Sequence, residues 1–157
     1  MGLRRILTDK ESALHKVCRP VTDFDKRLHK LLDDMCQTLV DSGGVGLAAP
    51  QVGILRRVVV VDTGDQILEL VNPEVISTDG EQEGPEGCLS VPGKYGLVKR
   101  PYYATVKAQD RYGEWFEAEG EELIARCFCH ELDHLDGILY TQVMERFLTE
   151  EELEADE

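Results

Sequence analysis

The fold of this chain is decided by the stretch His130-Glu131-Leu132-Asp133-His134. It lies within residues 121–136, where apolar residues recur at the three- and four-residue steps of an α-helix. Side chains four positions apart lie about 40° apart around a helix axis, so His130 and His134 present their rings side by side, as two ligands of one metal ion must. Glu131 lies about 60° from His134, within reach of a water activated by that ion. The stretch therefore predicts a metal site with a general base.

The alternative interpretation is a surface helix that carries two histidines and an acid without binding a metal. Apolar residues on the same helix faces argue against it, because they direct the histidines into a packed interior. These residues are Leu123, Ile124, Cys127, Phe128 and Leu135.

The length of 157 residues indicates a single domain over residues 1–157, large enough to bury a core without disulfides. The 17 basic and 31 acidic residues give a net charge of −14, and no basic stripe is present, which argues against binding to nucleic acid or to an anionic membrane. The sequence contains neither a signal-peptide pattern nor an apolar run of membrane-spanning length. We therefore expect a cytoplasmic protein.

The five cysteines, at positions 18, 36, 88, 127 and 129, are an odd number and lack the spacing of a disulfide framework. In a chain without an export signal they are expected to be free thiols or metal thiolates.

The flanking segments predict a further helix and several strands. Residues 1–22 form an extended arm, followed by an amphipathic helix with Thr22 or Asp23 as its N-cap and Gly43-Gly44 as its C-terminal stop. Strands are predicted over 57–62, 67–71, from 75, 97–100, 104–108 and 114–118, the last two forming an antiparallel hairpin. The acidic, glycine-rich residues 79–87 are predicted as a loop that presents Cys88. Residues 150–157, six of them acidic, are expected to be a frayed helix end or disordered.

Residues 43–53 are rich in glycine and alanine, and Gln51 is their only polar side chain. Neither of the two glycine-rich phosphate-binding motifs is present, so nucleotide binding is rejected. From spacing alone, two interpretations of Gln51 remain equal: a solvated residue in a tight helix-to-strand connection, or a functional amide in a segment that something approaches closely.

A catalytic site of this kind keeps three protein ligands and one open position. Cys127 lies on the same helix face as His130 and is a competitor for the third place, but three ligands from one helix would crowd the ion against the backbone. Cys88 belongs to a separate glycine-flanked segment and can approach from the other side, so we favour it. Cys129 points about 100° away from His130 and is assigned to packing.

Three motifs together resemble the peptide deformylase family, which removes the N-formyl group from the initiator methionine of new bacterial chains. They are Gly44–Gln51, Glu86–Ser90 and His130–His134 followed by Leu135-Asp136-Gly137. The resemblance implies a small α+β fold with antiparallel sheets around the histidine helix, and a metal held by Cys88, His130 and His134 with Glu131 as catalyst. It also implies Fe(II) as the usual metal, while the ligand set suits Zn(II), Ni(II) and Co(II) as well.

The same resemblance implies further roles. The Gln51 side-chain amide and the Leu89 backbone N–H would stabilise the developing oxyanion. Arg100 would contact the substrate, an N-formylmethionyl peptide. The methionine pocket and the peptide-binding edge would be lined by Val45, Gly46, Leu123, Arg126 and Cys127. Transient ribosome association is an open expectation, because the short acidic tail differs from the basic C-terminal extensions with which some members dock.

Two alternative functions remain from the residues alone. A metallopeptidase with the same helix motif would more usually have a third His or Glu ligand and an open cleft. A non-catalytic metal-binding protein would need a closed site, and Cys127 is the best candidate for its fourth ligand.

Overall fold

The computed structural model describes residues 2–155, and its first helix follows directly from the apolar periodicity of the sequence. Helix α1 spans Lys26–Ser42. Its N-cap is Asp25, whose carboxylate accepts a hydrogen bond from the Leu28 N–H at 3.1 Å, so the prediction of Thr22 or Asp23 as the cap was wrong by two or three residues. Gly43 ends the helix in the left-handed conformation, with φ 72°, as the sequence predicts.

Within residues 2–155, seven strands and two further α-helices complete the regular structure. The strands are β1 (Gly46–Ala48), β2 (Val58–Asp62), β3 (Ile67–Asp79), β4 (Gln82–Cys88), β5 (Val91–Arg100), β6 (Tyr103–Gln109) and β7 (Trp115–Glu121). The helices are α2 (Leu123–Leu135) and α3 (Glu150–Ala155), with short 3-10 turns at Ser12–His15, Ala49–Val52 and Tyr140–Gln142. All strand pairs are antiparallel. They form a five-stranded sheet in the order β1-β2-β3-β6-β7 and a separate two-stranded sheet of β4 and β5.

Helices cover both faces of the larger sheet, and strand β2 shows why. Val58 and Val60 pack into the core cluster that contains the apolar face of α1. Val59 and Val61 point the other way and pack against α2. All four valines have 0% exposure, so the continuous apolar run marks a strand that is buried on both faces. The helix with the two histidines is therefore held against a rigid sheet.

Residues 79–87 were predicted as a loop, and the structure corrects this. Most of them belong to β4, which pairs with β5 from Gln82 opposite Arg100 to Glu86 opposite Gly96. Glycine, proline and glutamate have low intrinsic strand preference, so cross-strand pairing rather than local propensity makes this segment extended. The segments predicted around 67–71 and from 75 are likewise one strand, β3, interrupted by register shifts.

The C-terminal tail differs from expectation in part. The acidic tail forms helix α3 up to Ala155, whereas the prediction was a frayed end or disorder; Asp156 and Glu157 lie outside the described residues. Within residues 2–155, none of the helices combines the length and the apolar character that crossing a membrane requires.

Candidate active site

Three side chains with metal-ligand chemistry converge from two elements. Cys88 is the last residue of β4, and His130 and His134 lie on one face of α2. The sulfur and one ring nitrogen of each histidine all lie within 4.8 Å of one another, and Cys88 Sγ is 3.3 Å from His134 Nε2. Among residues 2–155, Cys88, His130 and His134 form the candidate metal-binding group, and Cys127 is not part of it. The structure therefore brings Cys88, rather than Cys127, to the two histidines.

The partner of His130 determines which ring nitrogen is free. His130 Nδ1 lies 2.7 Å from Glu86 Oε2, so Nδ1–H donates to the carboxylate and Nε2 is the nitrogen that remains for a metal ion. Burial would raise the pKa of Glu86, but hydrogen bonds from His130 and Arg100 outweigh it and lower that pKa to about 2. Burial, followed by the charge of His130, lowers the pKa of His134 well below its ordinary value. Burial would lower the pKa of His130, but the charge of Glu131 and hydrogen bonds with Cys88 and Glu86 raise it well above its ordinary value. Metal ions compete with protons for such ligands, and one thiol with two imidazoles is a donor set that fits a divalent metal ion.

Glu131 is buried beside this cluster. Its Oε2 lies 4.0 Å from His130 Nε2 and 4.0 Å from Cys127 Sγ, and its Oε1 has no hydrogen-bond partner among residues 2–155. Burial raises the pKa of Glu131 to about 7. An unpartnered carboxylate oxygen in a buried position indicates a role toward a bound molecule, because such groups are otherwise satisfied by the protein.

Gln51 is 1% exposed, which excludes the solvated interpretation. Its Oε1 accepts a hydrogen bond from the Ala48 N–H at 2.9 Å, and its Nε2 donates to Ser90 Oγ at 3.1 Å. These two bonds orient the amide, and they place Nε2 3.6 Å from Cys88 Sγ. The short 3-10 turn Ala49–Val52 thus aims a fixed donor at the ligand cluster.

A cavity of about 490 Å³ opens onto these residues. The catalytic and pocket residues predicted from the sequence that line it are Gln51, Leu89, Glu131, Val45, Gly46, Leu123, Arg126 and Cys127. The ligands Cys88 and His130 also line it. A Cβ atom on Gly46 would lie 2.6 Å from Cys127 Sγ and 2.7 Å from Glu131 Oε2, so only glycine allows β1 to pass this close to α2.

Two predicted site residues, His134 and Arg100, do not line the cavity: His134 is fully buried behind it, and Arg100 is directed to protein carboxylates. The Arg100 guanidinium is buried and donates to both oxygens of Glu86, at 3.0 and 2.7 Å, and to Asp133 Oδ2 at 2.9 Å. The prediction that it contacts the substrate is not supported by this position, because its donors are directed to protein carboxylates. Sequence reasoning quoted Glu86 and Ser90 within a motif but gave them no role; the structure assigns Glu86 to His130 and Ser90 to Gln51.

Comparisons with known proteins establish the family of this chain. The family model described as Polypeptide deformylase matches residues 3–149. A peptide deformylase of Lachnoclostridium phytofermentans is 54% identical over 145 residues, covering 90% of this chain and 89% of the relative. One from Acetivibrio thermocellus is 52% identical over 154 residues, covering 98% of this chain and 91% of that protein.

Solved structures show the same fold. The crystal structure of a peptide deformylase from Legionella pneumophila superposes with a TM-score of 0.88 at 43% identity and covers 98% of this chain and 90% of its own. That from Thermotoga maritima gives a TM-score of 0.89 at 39% identity, with 92% and 99% covered. The expected α+β fold is thereby confirmed. This chain belongs to the polypeptide deformylase family, the metal-dependent enzymes that remove the N-formyl group from nascent peptides.

Proposed function

We propose that Cys88, His130 and His134 hold the divalent metal ion of this deformylase and that Glu131 is its general base. The observation that carries the proposal is the convergence of the three ligand atoms beside a cavity that Cys88, His130 and Glu131 line, with Glu131 presenting an unpartnered carboxylate oxygen. A divalent ion bound there supplies Lewis-acid activation of water and of the formyl carbonyl.

The remaining steps belong to side chains and backbone groups of the chain itself. Glu131 accepts the proton of the attacking water and returns it to the departing amine, which releases formate and a free N-terminus. Gln51 Nε2 and the Leu89 N–H stabilise the negative charge that develops on the formyl oxygen. Because Ala48 and Ser90 already orient the Gln51 amide, it needs no reorganisation during the reaction.

Replacing Glu131 tests the general base directly. Glu131→Gln keeps the size of the side chain but cannot take up the proton, so turnover of a formyl-Met peptide is expected to fall by several orders of magnitude. Metal content, measured by elemental analysis, is expected to match that of the unmodified protein because Glu131 is not a ligand. Substantial turnover in a metal-loaded Glu131→Gln protein would contradict this role.

We also propose that the apolar part of the cavity takes the methionine side chain of N-formylmethionyl peptides. Val45, Leu89 and Leu123 line it together with the buried Val91. Burying a Met-sized group is worth about 2 kcal/mol, which corresponds to roughly a 30-fold difference in kcat/KM. Formyl-Met peptides are therefore expected to exceed formyl-Gly peptides by that factor, with formyl-norleucine peptides close to formyl-Met. Equal rates for all three substrates would refute the pocket.

For the metal we propose Fe(II), with Zn(II), Ni(II) or Co(II) able to substitute, since one thiolate and two imidazoles suit all four. We further propose that the enzyme acts in the cytoplasm and meets nascent chains in transient encounters at the ribosome. The net charge of −14 argues against binding to nucleic acid or to an anionic membrane, so these encounters are proposed to be brief.

The two alternative functions have less support. A closed, non-catalytic site needs a fourth protein ligand, and Cys127 Sγ lies against Glu131 Oε2 instead of joining the cluster. A metallopeptidase would more usually have His or Glu where Cys88 stands, and the relatives are deformylases.

A further inference from the structure

A buried network of charges lies behind the candidate metal ligands and is centred on Glu86. Glu86 is 4% exposed and receives four N–H groups. Arg100 Nε and Arg126 Nη1 donate to Oε1, at 3.0 and 2.9 Å. Arg100 Nη2 and His130 Nδ1 donate to Oε2, both at 2.7 Å. The orientation of the His130 ring therefore depends on how this carboxylate is held.

We infer that Arg126 is a positioning residue that holds Glu86, and through it the metal ligands, in place. This inference rests on the metal centre proposed above. The two arginines of the network differ in their partners: Arg100 divides its donors between Glu86 and Asp133. Arg126 directs Nη1 to Glu86 and Nη2 to the Val98 carbonyl at 3.1 Å.

The contacts of Arg126 join the two elements that supply the ligands. Arg126 is on α2, one helical turn before His130, while Glu86 is on β4, two residues before Cys88, and Val98 is on β5. The β4–β5 ladder is irregular between Glu86 and Cys88, so backbone pairing alone does not hold that stretch in register. The guanidinium of Arg126 therefore ties the end of β4 to α2 and sets the distance from Cys88 to the histidines.

The charge balance of the network also depends on Arg126. Glu86 and Asp133 balance Arg100 and Arg126 within one set of ion pairs. Removing the Arg126 charge leaves a buried carboxylate excess and takes one donor from Glu86 and one from Val98. Nη1 and Nη2 of Arg126 each donate to a protein acceptor, and the residue is only 7% exposed, so these two bonds hold its guanidinium against Glu86 and Val98.

Two substitutions of Arg126 test the inference in the full-length protein loaded with Co(II). Arg126→Met removes the charge and both hydrogen bonds, and it is expected to weaken Co(II) binding by 10- to 100-fold, measured by competition with a chelator. The visible absorption spectrum of the Co(II) protein is expected to change, because ligand geometry changes. Arg126→Lys keeps the charge but not the planar fork, so an intermediate affinity is expected. Deformylation by both variants is expected to lose kcat with KM little changed.

Arg111→Met is the matched control, since Arg111 is also paired with two carboxylates, Glu69 and Asp33, and does not line the cavity. It is expected to lower resistance to urea while keeping the Co(II) affinity and spectrum of the unmodified protein. If Arg126→Met does not fold, the Co(II) affinity and spectrum of Arg126→Lys are used to test the inference. Unchanged Co(II) affinity and spectrum in the variant that folds, with a raised KM, would overturn the inference and make Arg126 a substrate contact. Failure of the unmodified protein to bind Co(II) would overturn the metal centre as well.

Discussion

At the scale of single residues, the surroundings of Cys88 and Cys127 separate two cysteines that spacing had left in competition. Cys88 ends a strand and meets both histidines, with the Ser90 N–H 3.5 Å from its sulfur. Cys127 is buried in the core cluster between α2 and the sheet. Burial, and then the nearby Glu131 carboxylate, raise the pKa of the Cys127 thiol well above its ordinary value. A thiol in that environment favours packing over metal ligation.

Alanine substitutions of the two cysteines are therefore expected to give different results. Cys88→Ala removes a ligand, so metal content and deformylation are expected to be lost together. Cys127→Ala is expected to keep a stoichiometric metal, because the substitution leaves all three ligands in place. The metal content of the two variants is measured by elemental analysis after dialysis against trace metal. The opposite pattern, with metal retained in Cys88→Ala and lost in Cys127→Ala, would show that the wrong cysteine has been assigned.

At the scale of secondary-structure elements, the start of α1 is set by one hydrogen bond. The carboxylate of Asp25 accepts a hydrogen bond from the Leu28 N–H, whereas Asp23, which the sequence analysis proposed as a cap, lies two residues before Asp25. Both side chains belong to exposed residues, so the hydrogen bond is the main difference between them.

Removing the cap is expected to destabilise the whole fold, because α1 packs one face of the sheet. Asp25→Ala is expected to lower the free energy of unfolding by about 1 kcal/mol, measured by urea denaturation. Asp23→Ala, the matched control, is expected to stay within about 0.5 kcal/mol of the unmodified protein. Equal losses in the two variants would argue for a general charge effect on the helix instead of a specific cap.

At the scale of the whole molecule, the proposed metal joins parts of the chain that are far apart in sequence. Its ligands come from the small sheet of β4 and β5 and from α2, which packs on the larger sheet. A ligand that binds only the folded state stabilises that state in proportion to the logarithm of its concentration over Kd. The metal centre therefore contributes to the stability of both sheets as one unit.

Chelation is expected to lower the Tm of the protein, and adding Zn(II) or Ni(II) back is expected to restore it. At a free metal concentration 100 times Kd the stabilisation amounts to about 2.7 kcal/mol, which is several degrees for a chain of this size. Differential scanning calorimetry with and without chelator measures the shift. Cys88→Ala is the control and is expected to show the same Tm in both conditions. A chelator-dependent shift of equal size in that variant would place the stabilising metal elsewhere.

The sequence by itself determined the parts of this protein that depend on local spacing. The three- and four-residue periodicities predict α1 and α2, and the four-residue separation of His130 and His134 places both rings on one face of α2, because helix geometry relates residues close in the chain. The valine run at 58–61 predicts a buried strand for the same reason. The three short motifs were sufficient to indicate the family, which the comparisons confirm.

The tertiary structure alone decided which distant residues meet. Residues 82–87 have low strand preference of their own, and pairing with β5 makes them part of β4, which brings Glu86 and Cys88 to α2. Arg100 and Arg126 were both predicted as substrate-binding residues; in the structure both pair with the same buried carboxylate, and Arg126 also lines the cavity. A long, charged side chain can serve a substrate or a protein acceptor equally well, and only the placement of the acceptor in space distinguishes the two.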